Sequence, residues 1–500
     1  MEVLKNNKGV IITYVLVFGA IFLILLGGLL GFILLQLRQS AQKVAWNHSL
    51  HIAEAGINYY RWCLNNEVEQ NCQTERDYFD PTGNLIGHFS LETTSQESCG
   101  QTIQRRIAST GWTNNFPNIK RKISVLYARE SVAKYSYIIN ENLWVGSDHE
   151  IRGPFHTNGG IRFDGENQSL VTSARDTWLC TSSFACNYLV CPSGCSREGS
   201  ACRCPGVFTT TGVSRPDLFN FPVTPFDFTG ITIDLAQMKK ITKDEGRGLY
   251  FEPSGAEGYR IAIDGDNLKV WKVLSTTMLD KICTVVGSKV ICDGGTCEPE
   301  CSHCQFDKCV VRDPVIKTET GPIYDGPIPQ DCGLIFFEDE LWIGKADLES
   351  NIKGKITIVS ANLINPNKTT NVWLQGNINY ARDSQLDGLL LIAQRNNLIG
   401  LYSPDKMELK GIFIAQTGFF GRNHYPCAKY SPYCKREKLE IYGSIVSNGR
   451  VGTQWISGSQ IVSGYLKRES YFDANLVYSP PVFTPSISYD FKLVGWEEIR

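Results

Sequence analysis

The chain has 500 residues, and 49 Lys plus Arg against 51 Asp plus Glu leave a formal charge of −2, so no overall basic field draws it to nucleic acid. Hydrophobic residues make up 42% and charged residues 20%, which excludes wholesale disorder and supplies a sizeable core. The length predicts two to four domains, fewer if a long β solenoid takes up much of it.

From Gly9 to Leu37 the only charge-free run of this length opens the chain, and Val10–Leu35 is almost wholly apolar. As a helix it measures ~39 Å, beyond the ~30 Å hydrocarbon core of a bilayer. A cleaved secretory signal has a shorter apolar core followed by a small-residue cleavage site, so this segment reads as a retained anchor. Lys5 and Lys8 precede it and predict a cytoplasmic N-terminus, although Arg38 and Lys43 on the far side blunt the bias. All 18 Cys lie at or beyond Cys63, the side on which an oxidising exterior would allow disulfides. No turn signal ends the apolar run. Leu37, Ala41, Val44, His48, Ile52, Ala55, Tyr59 and Trp62 continue at helical spacing, which predicts one stem helix over 10–65 with an apolar face. Gly27 and Gly31 form a small-xxx-small pair that lets a second helix approach closely.

Lys8, Gly9 and Val10 at the head of the apolar run, with Ala53, Glu54, Ala55 and Gly56 further along the helix, resemble the N-terminus of PilX-type minor pilins. The end is also similar to those of the large minor pseudopilins of type II secretion systems. The resemblance implies a leader peptide over 1–9, removed by a prepilin peptidase between Gly9 and Val10. It implies a mature helix that enters a filament with other pilins or pseudopilins, packing through Gly27, Gly31, Ala53, Glu54 and Ala55. One position departs from the pattern: many major pilins have Glu at the fifth mature residue, and here it is Tyr14. That points away from a bulk subunit and toward a minor one.

Over 66–135 the period changes from 3.6 to 2. His88–Thr94, Thr102–Ser109 and Asn118–Tyr127 predict three antiparallel strands packed on the exposed half of the stem, a small sheet that agrees with the pilin resemblance. The run Lys120, Arg121, Lys122 reads as a solvated edge that discourages aggregation, rather than a DNA patch.

Over 136–500 an aliphatic-x-Gly-x-apolar pattern recurs: Ile151-Gly153-Phe155, Ile352-Gly354-Ile356, Leu374-Gly376-Ile378, Leu386-Gly388-Leu390, Leu409-Gly411-Phe413 and Ile441-Gly443-Ile445. It predicts a right-handed parallel β-helix with inward aliphatics, and corner residues Asn158, Asn362, Asn396 and Asn448 in left-handed conformation. A β-sandwich could give similar alternation. Gly153–Gly159 and the closing stretch Tyr471–Asp473, Tyr478–Pro481 and Trp496–Glu497 are similar to bacterial surface domains that follow PilX-like helices, a match that implies no known chemistry. The fold class is therefore an α+β pilin-like module, a long transmembrane helix on a small antiparallel sheet, followed by a mainly-β head.

Two cysteine-rich insertions interrupt the head. Cys180, Cys186, Cys191, Cys195, Cys202 and Cys204 fall within 178–206; Cys283, Cys292, Cys297, Cys301, Cys304 and Cys309 fall within 281–332. Such short Gly-, Pro- and Ser-rich stretches bury little apolar surface and need covalent staples, with about fifteen connectivities open for each six. Cys427 with Cys434, and Cys63 with Cys72, are spaced to close small loops. Zinc at Cys297, Cys301, His303, Cys304 and Cys309, which include a CxHC, is the sharper alternative. Phe208–Val273 reads as an insertion or subdomain with a short helix near Leu235–Lys240 and strands near Tyr259–Ile263 and Leu268–Val273.

Parallel β-helices often carry polysaccharide-cleaving sites, so Glu338, Asp339 and Glu340 are candidate carboxylates, with Glu338 and Glu340 on one strand face; a solvated turn is the plainer reading. His156 is the best lone candidate base, although a structural histidine bonded to turn backbone is the plainer reading, and Asp264-Gly265-Asp266-Asn267 reads as a hairpin turn rather than a calcium loop. The sequence thus predicts a non-enzymatic minor pilin or pseudopilin, anchored in the cell membrane with its head outside for adhesion or assembly, and without cofactor, metal or nucleic-acid partner. A surface-anchored glycan-processing enzyme is the alternative.

Overall fold

The computed structural model describes residues 8–66, 72–228, 234–279, 314–382, 385–457, 460–488 and 490–499, with only the backbone of short strands between 281 and 309. The chain forms two compact units. One holds residues up to Ser95, Arg105–Tyr127 and Asp490 onward; the other holds Gln96–Gln104 and Ala128–Tyr489.

In the first unit a helix, α1 (Lys8–Asn65), packs its C-terminal half on a sheet. The strands β1 (Glu75–Phe79), β2 (Leu85–Ser98), β3 (Gln101–Thr113) and β4 (Phe116–Ala128) lie side by side, and the C-terminal strand Lys492–Ile499 adds beside β4. The three strands predicted from sequence are therefore five, and the last comes from the far end of the chain. Arg121 fixes it with two bonds of 2.7 and 2.6 Å to Glu498. Ile52, Ala53, Ile57, Tyr60 and Leu64 of α1 meet Phe89, Leu91, Ile107, Ile123, Val125 and Tyr127 of the sheet in one core.

The second unit is built on stacked parallel ladders. In the longest, Leu249, Ile335, Ile358, Leu391, Phe413, Ile445, Tyr137, Phe155, Val171 and Phe219 follow one another in register, one per strand. Shorter ladders run alongside: Tyr259, Leu341, Val372, Asn397 and Phe420 align in one, and Leu409, Ile441, Ser470 and Ile151 in another. Their apolar members share a single core, the interior of the stack.

Stack order is not chain order. Tyr137–Ile139 pairs with Ile445–Ser447 on one side and with Phe155–Thr157 on the other, so the first strands of the unit lie in the middle of the stack. The chain runs from there to one end at Phe219–Asn220, then resumes at the opposite end with Leu249–Phe251. Phe208–Val273 is thus no insertion. It includes the return path and the terminal strands of the stack.

Strands such as Leu334–Phe337 and Gly388–Ala393 are buried on both faces, which explains their unbroken apolar sequence. Phe336, Val359, Ile392, Ile414, Val446 and Ile138 point away from the interior and are covered by Leu235, Met238 and Ile241 of a short helix, Leu235–Lys243, and by Leu476 and Val482. Another outer face, Trp342 and Trp373, is covered by Val273 and Ile316 of a long antiparallel hairpin, Asn267–Met278 with Pro314–Pro327. In sequence, the second cysteine-rich segment joins the two strands of that hairpin.

Five of the six glycine motifs face the interior as predicted by their aliphatics; Leu386-Gly388-Leu390 does not, because Leu389 and Leu391 point inward, Leu390 outward, and Leu386 is exposed. The asparagines also differ from expectation. None of Asn158, Asn362, Asn396 and Asn448 has positive φ. They act by hydrogen bonding: Asn158 donates to Asn140 (2.9 Å), Asn140 to Asn448 (2.8 Å) and Asn396 to Asn371 (2.8 Å), tying successive strands at the corners, while Asn362 accepts from the Asn365 amide (2.8 Å).

Candidate functional site: the stem helix

α1 is unbroken through 36–45, where the polar text begins. Its 58 residues span ~87 Å. The two halves have different surroundings. Val10 to Leu37 is exposed throughout, and the most apolar window has a mean hydropathy of 2.8 with none of it buried. The helix is therefore long and apolar enough to cross a membrane, and the burial that a core helix would show is absent. A Cβ built on Gly27 or Gly31 meets nothing within 4 Å, so the pair leaves an open notch on the bare half. Tyr14 rests near Phe18 one turn on, ring centroids 6.5 Å apart. Lys8 and Gly9 already lie in the first turn; residues 1–7 of the expected leader lie outside the described residues.

The other half is locked to its own sheet. Ala53 is fully buried, Glu54 and Ala55 are half-buried, and Glu54 pairs with His51 at 3.2 Å. Ala53 accordingly packs within the chain, not on a neighbouring helix. Ser49 Oγ donates to the carbonyl of Ala45 (2.8 Å) in α1 and to that of Ile119 (2.9 Å) in β4. Glycines set the approach: a Cβ on Gly56 would lie 2.4 Å from Ser109 Oγ. Sequence reasoning missed Gly111 of β3 because an isolated glycine in a strand carries no sign of its partner.

No protein-family model matches the chain, and no curated protein does. Among solved structures it is similar to the competence-associated pilin ComZ from Thermus thermophilus, at 12% identity over 91% of this chain and 97% of that one, with a TM-score of 0.29. A likeness at that level fixes no shared fold.

The cysteines form a framework in both units. Cys63 bonds Cys72, Cys180 bonds Cys186, Cys191 bonds Cys202, Cys195 bonds Cys204 and Cys427 bonds Cys434. Sequence reasoning left Cys99 and Cys332 unassigned; they bond each other across a separation of 233 residues. In the second nest Cys283 lies opposite Cys292, and Cys304 opposite Cys309, in antiparallel backbone pairs. The side chains there, with Cys297, Cys301 and His303, lie outside the described residues. Among the described residues no group of His, Cys, Asp and Glu is arranged to hold a metal.

The three carboxylates sit at a corner between strands Leu334–Phe337 and Leu341–Ile343, not on a strand face, and Glu338 and Asp339 are buried rather than solvated. Each is occupied. Glu338 pairs with Lys239 (2.7 Å) and accepts from Tyr250 Oη (2.9 Å) and the Leu363 amide (2.6 Å). Asp339 accepts from Ser254 N and Oγ (3.0 and 2.7 Å) and Lys368 Nζ (2.6 Å). Glu340 accepts from the Asn371 amide (2.9 Å) and Trp373 Nε1 (2.7 Å); burial raises its pKa, and these bonds lower it in part. This is chemistry that pins a bend. His156 also has a structural setting, though through side chains rather than turn backbone: Nδ1 meets Thr172 Oγ1 (2.9 Å), Nε2 meets Asn158 Oδ1 (3.0 Å), and Phe226 lies edge-on 4.6 Å away. Burial holds its pKa below the usual histidine value. Asp264–Asn267 is a hairpin turn, with Asp264 opposite Asn267 and Gly265 at φ 67°. In the basic run, Lys120 lies over Trp112, Arg121 binds Glu498 and Lys122 binds Glu92 at 2.8 Å, so each charge has a partner within the first unit.

Proposed function

We propose that this chain is a minor pilin-like or pseudopilin-like subunit of a type IV pilus or type II secretion-like filament. It is a single-pass membrane protein whose N-terminus is cytoplasmic and whose disulfide-rich head stands outside, serving adhesion or assembly. The observation that carries this reading is the divided stem: one unbroken helix, bare and apolar for its first half and locked on a sheet for its second. A tail anchor needs no such continuity. A subunit that leaves the bilayer to pack among sister helices needs a rod that is stiff across the boundary. Processing between Gly9 and Val10 by a prepilin peptidase completes the proposal. The orientation is supported by Lys5 and Lys8 before the span and by every cysteine after it.

The stacked registers support a β-solenoid as the head's architecture, right-handed as such parallel crossovers are. The engagement of Glu338, Asp339, Glu340 and His156 by structural partners supports a non-enzymatic head. N-terminal sequencing of mature protein from cells that contain the peptidase tests the proposal: Val10 as first residue is expected, and an intact Met1 would remove the filament reading while leaving the anchor. In the same cells, a cysteine placed at Gly27 or Gly31 should crosslink to another pilin, and capture of none across both positions counts against assembly.

A further inference from the structure

In the second unit two arginines are drawn into the interior beside the loop closed by Cys427 and Cys434. Arg422 is 1% exposed and donates to three carbonyls: those of Cys434 (3.1 Å), Tyr433 (2.7 Å) and Leu401 (3.3 Å). Arg436, 8% exposed, donates to the same Leu401 oxygen at 3.2 Å. Two guanidinium groups therefore converge on one neutral acceptor. Arg436 has no carboxylate within bonding distance among the described residues, and its buried Nε has no partner. The nearby acids are engaged elsewhere, Asp405 by the Glu437 amide (3.0 Å) and Glu437 by Lys406 (2.9 Å).

A desolvated cation without a counter-charge costs several kcal/mol, and a polar group left without an acceptor in the interior is rare enough to need a cause. The ring of Tyr433, 4.9 Å from the Arg436 guanidinium, offsets part of that cost but offers Nε no lone pair. Tyr433 also leads outward. It is 40% exposed and meets Tyr402, 42% exposed, edge to face at 4.8 Å. Two half-open aromatic rings thus meet at the surface, and one of them, Tyr433, lies over an arginine that lacks an anion. The disulfide between Cys427 and Cys434 holds the loop carrying Tyr433.

We propose that Arg436 is the floor of an oxyanion site on the head, taking a phosphate or carboxylate whose parent molecule lies against Tyr402 and Tyr433. The anion supplies the counter-charge that Arg436 lacks, and Arg422, which shares the Leu401 carbonyl with it, adds a second positive charge. An acidic sugar and a phosphate ester share this chemistry. The site does not depend on whether the stem enters a filament.

The test uses full-length protein in detergent, with thermal midpoints followed during titration with inorganic phosphate, glucuronate and, as the uncharged control, glucose, all balanced with chloride to constant ionic strength. A saturable rise with phosphate or glucuronate, absent with glucose, is expected. Arg436→Gln should weaken it at least about tenfold, as loss of a charged hydrogen bond does, and exposed Lys435→Ala should leave it unchanged. Tighter binding of glucuronate, lost in Tyr433→Ala, identifies an acidic sugar; a response to phosphate that Tyr433→Ala leaves intact identifies a phosphate. No saturable response to either anion overturns the proposal, as does an unchanged response in Arg436→Gln. Should Arg436→Gln fail to fold, Arg436→Lys decides, since it keeps the charge but loses the planar guanidinium: weakened binding of the responding anion is expected, and affinities for glucuronate and phosphate both unaltered would place the ion elsewhere.

Discussion

Gly111 in β3 faces Ala53 in α1 at the limit of contact: a methyl group on Gly111 would lie 2.4 Å from the Ala53 amide nitrogen and 2.4 Å from the Ser49 carbonyl. Both obstacles are backbone, so no rotamer change relieves them. Gly111→Ala should push helix from sheet and cost about 1–3 kcal/mol, and Gly111→Val more. Denaturant unfolding followed by the far-UV signal of the first unit checks this. Gly27→Ala, with open space around its Cβ, is the matched control and should leave stability unchanged.

Cys99 occupies a two-residue turn with Gly100, both at positive φ (50° and 75°), and is tied to Cys332 far along the chain. Closing a loop of that length limits the unfolded ensemble by about 5 kcal/mol on a chain-entropy estimate. Cys99→Ser and Cys332→Ser should each lower the thermal midpoint of the second unit, and the double variant should fall no further than the worse single one. Additive losses would mean that the two side chains act separately.

How far this architecture could be read in advance depended on the range of the interactions. The stem was legible because its signal is local: the uncharged run to Leu37 and the period after it lie within consecutive residues, and α1 follows both. The alternation in the head was legible for the same reason, and most of its aliphatics face the interior. Pairing was not. Nothing in Tyr137–Ile139 announces that its neighbour is Ile445–Ser447, or in Lys492–Ile499 that it joins β4. Such choices are fixed by which apolar columns continue one another in space. The corner asparagines show the same limit. The sequence marks Asn158 as special but not that its side chain bonds Asn140 rather than adopting a left-handed backbone. Glu338 and Asp339 were visible as charges, while the partners that make them internal, Lys239 and Ser254, lie about a hundred positions earlier.

That corner gives a discriminating substitution. Glu338→Leu removes the carboxylate from Lys239, which is only 19% exposed, and breaks the bonds from Tyr250 and the Leu363 amide. Breaking a buried pair on one side costs about 3–5 kcal/mol, so the denaturation midpoint should fall sharply at constant slope. Pairing Glu338→Leu with Lys239→Met should recover part of the loss. A catalytic glutamate would behave oppositely, its replacement leaving stability intact or improved while turnover vanished.

Two buried histidines also tie stability to pH, His149 among the interior side chains of the stack and His156 on the outer face that it shares with Ile138. His149 Nε2 meets Ser470 Oγ at 2.9 Å, and the same hydroxyl meets Tyr137 Oη at 2.8 Å. Burial, followed by the charge of Arg468, holds His149 well below its usual value, and burial also lowers His156. Above pH 6.5 the rings are neutral in folded and unfolded chain alike, and no penalty arises. Below it the unfolded chain takes up protons that the folded chain refuses, so stability falls as pH falls, by about 1.4 kcal/mol per pH unit for each histidine until its depressed folded value is reached. Glu340, raised by burial, takes up its proton earlier in the folded chain than in the unfolded one and opposes part of this decline. Glu469 enters later, because burial would raise it but its bonds to Lys467, Lys438 and Tyr471 outweigh burial and hold it at about 2, so its own contribution is lost only from pH 4.5 downward. Unfolding free energies measured between pH 7 and pH 5 should therefore decline in the wild type and flatten in His149→Gln and His156→Gln combined. A slope unaltered by both replacements would assign the decline to other groups.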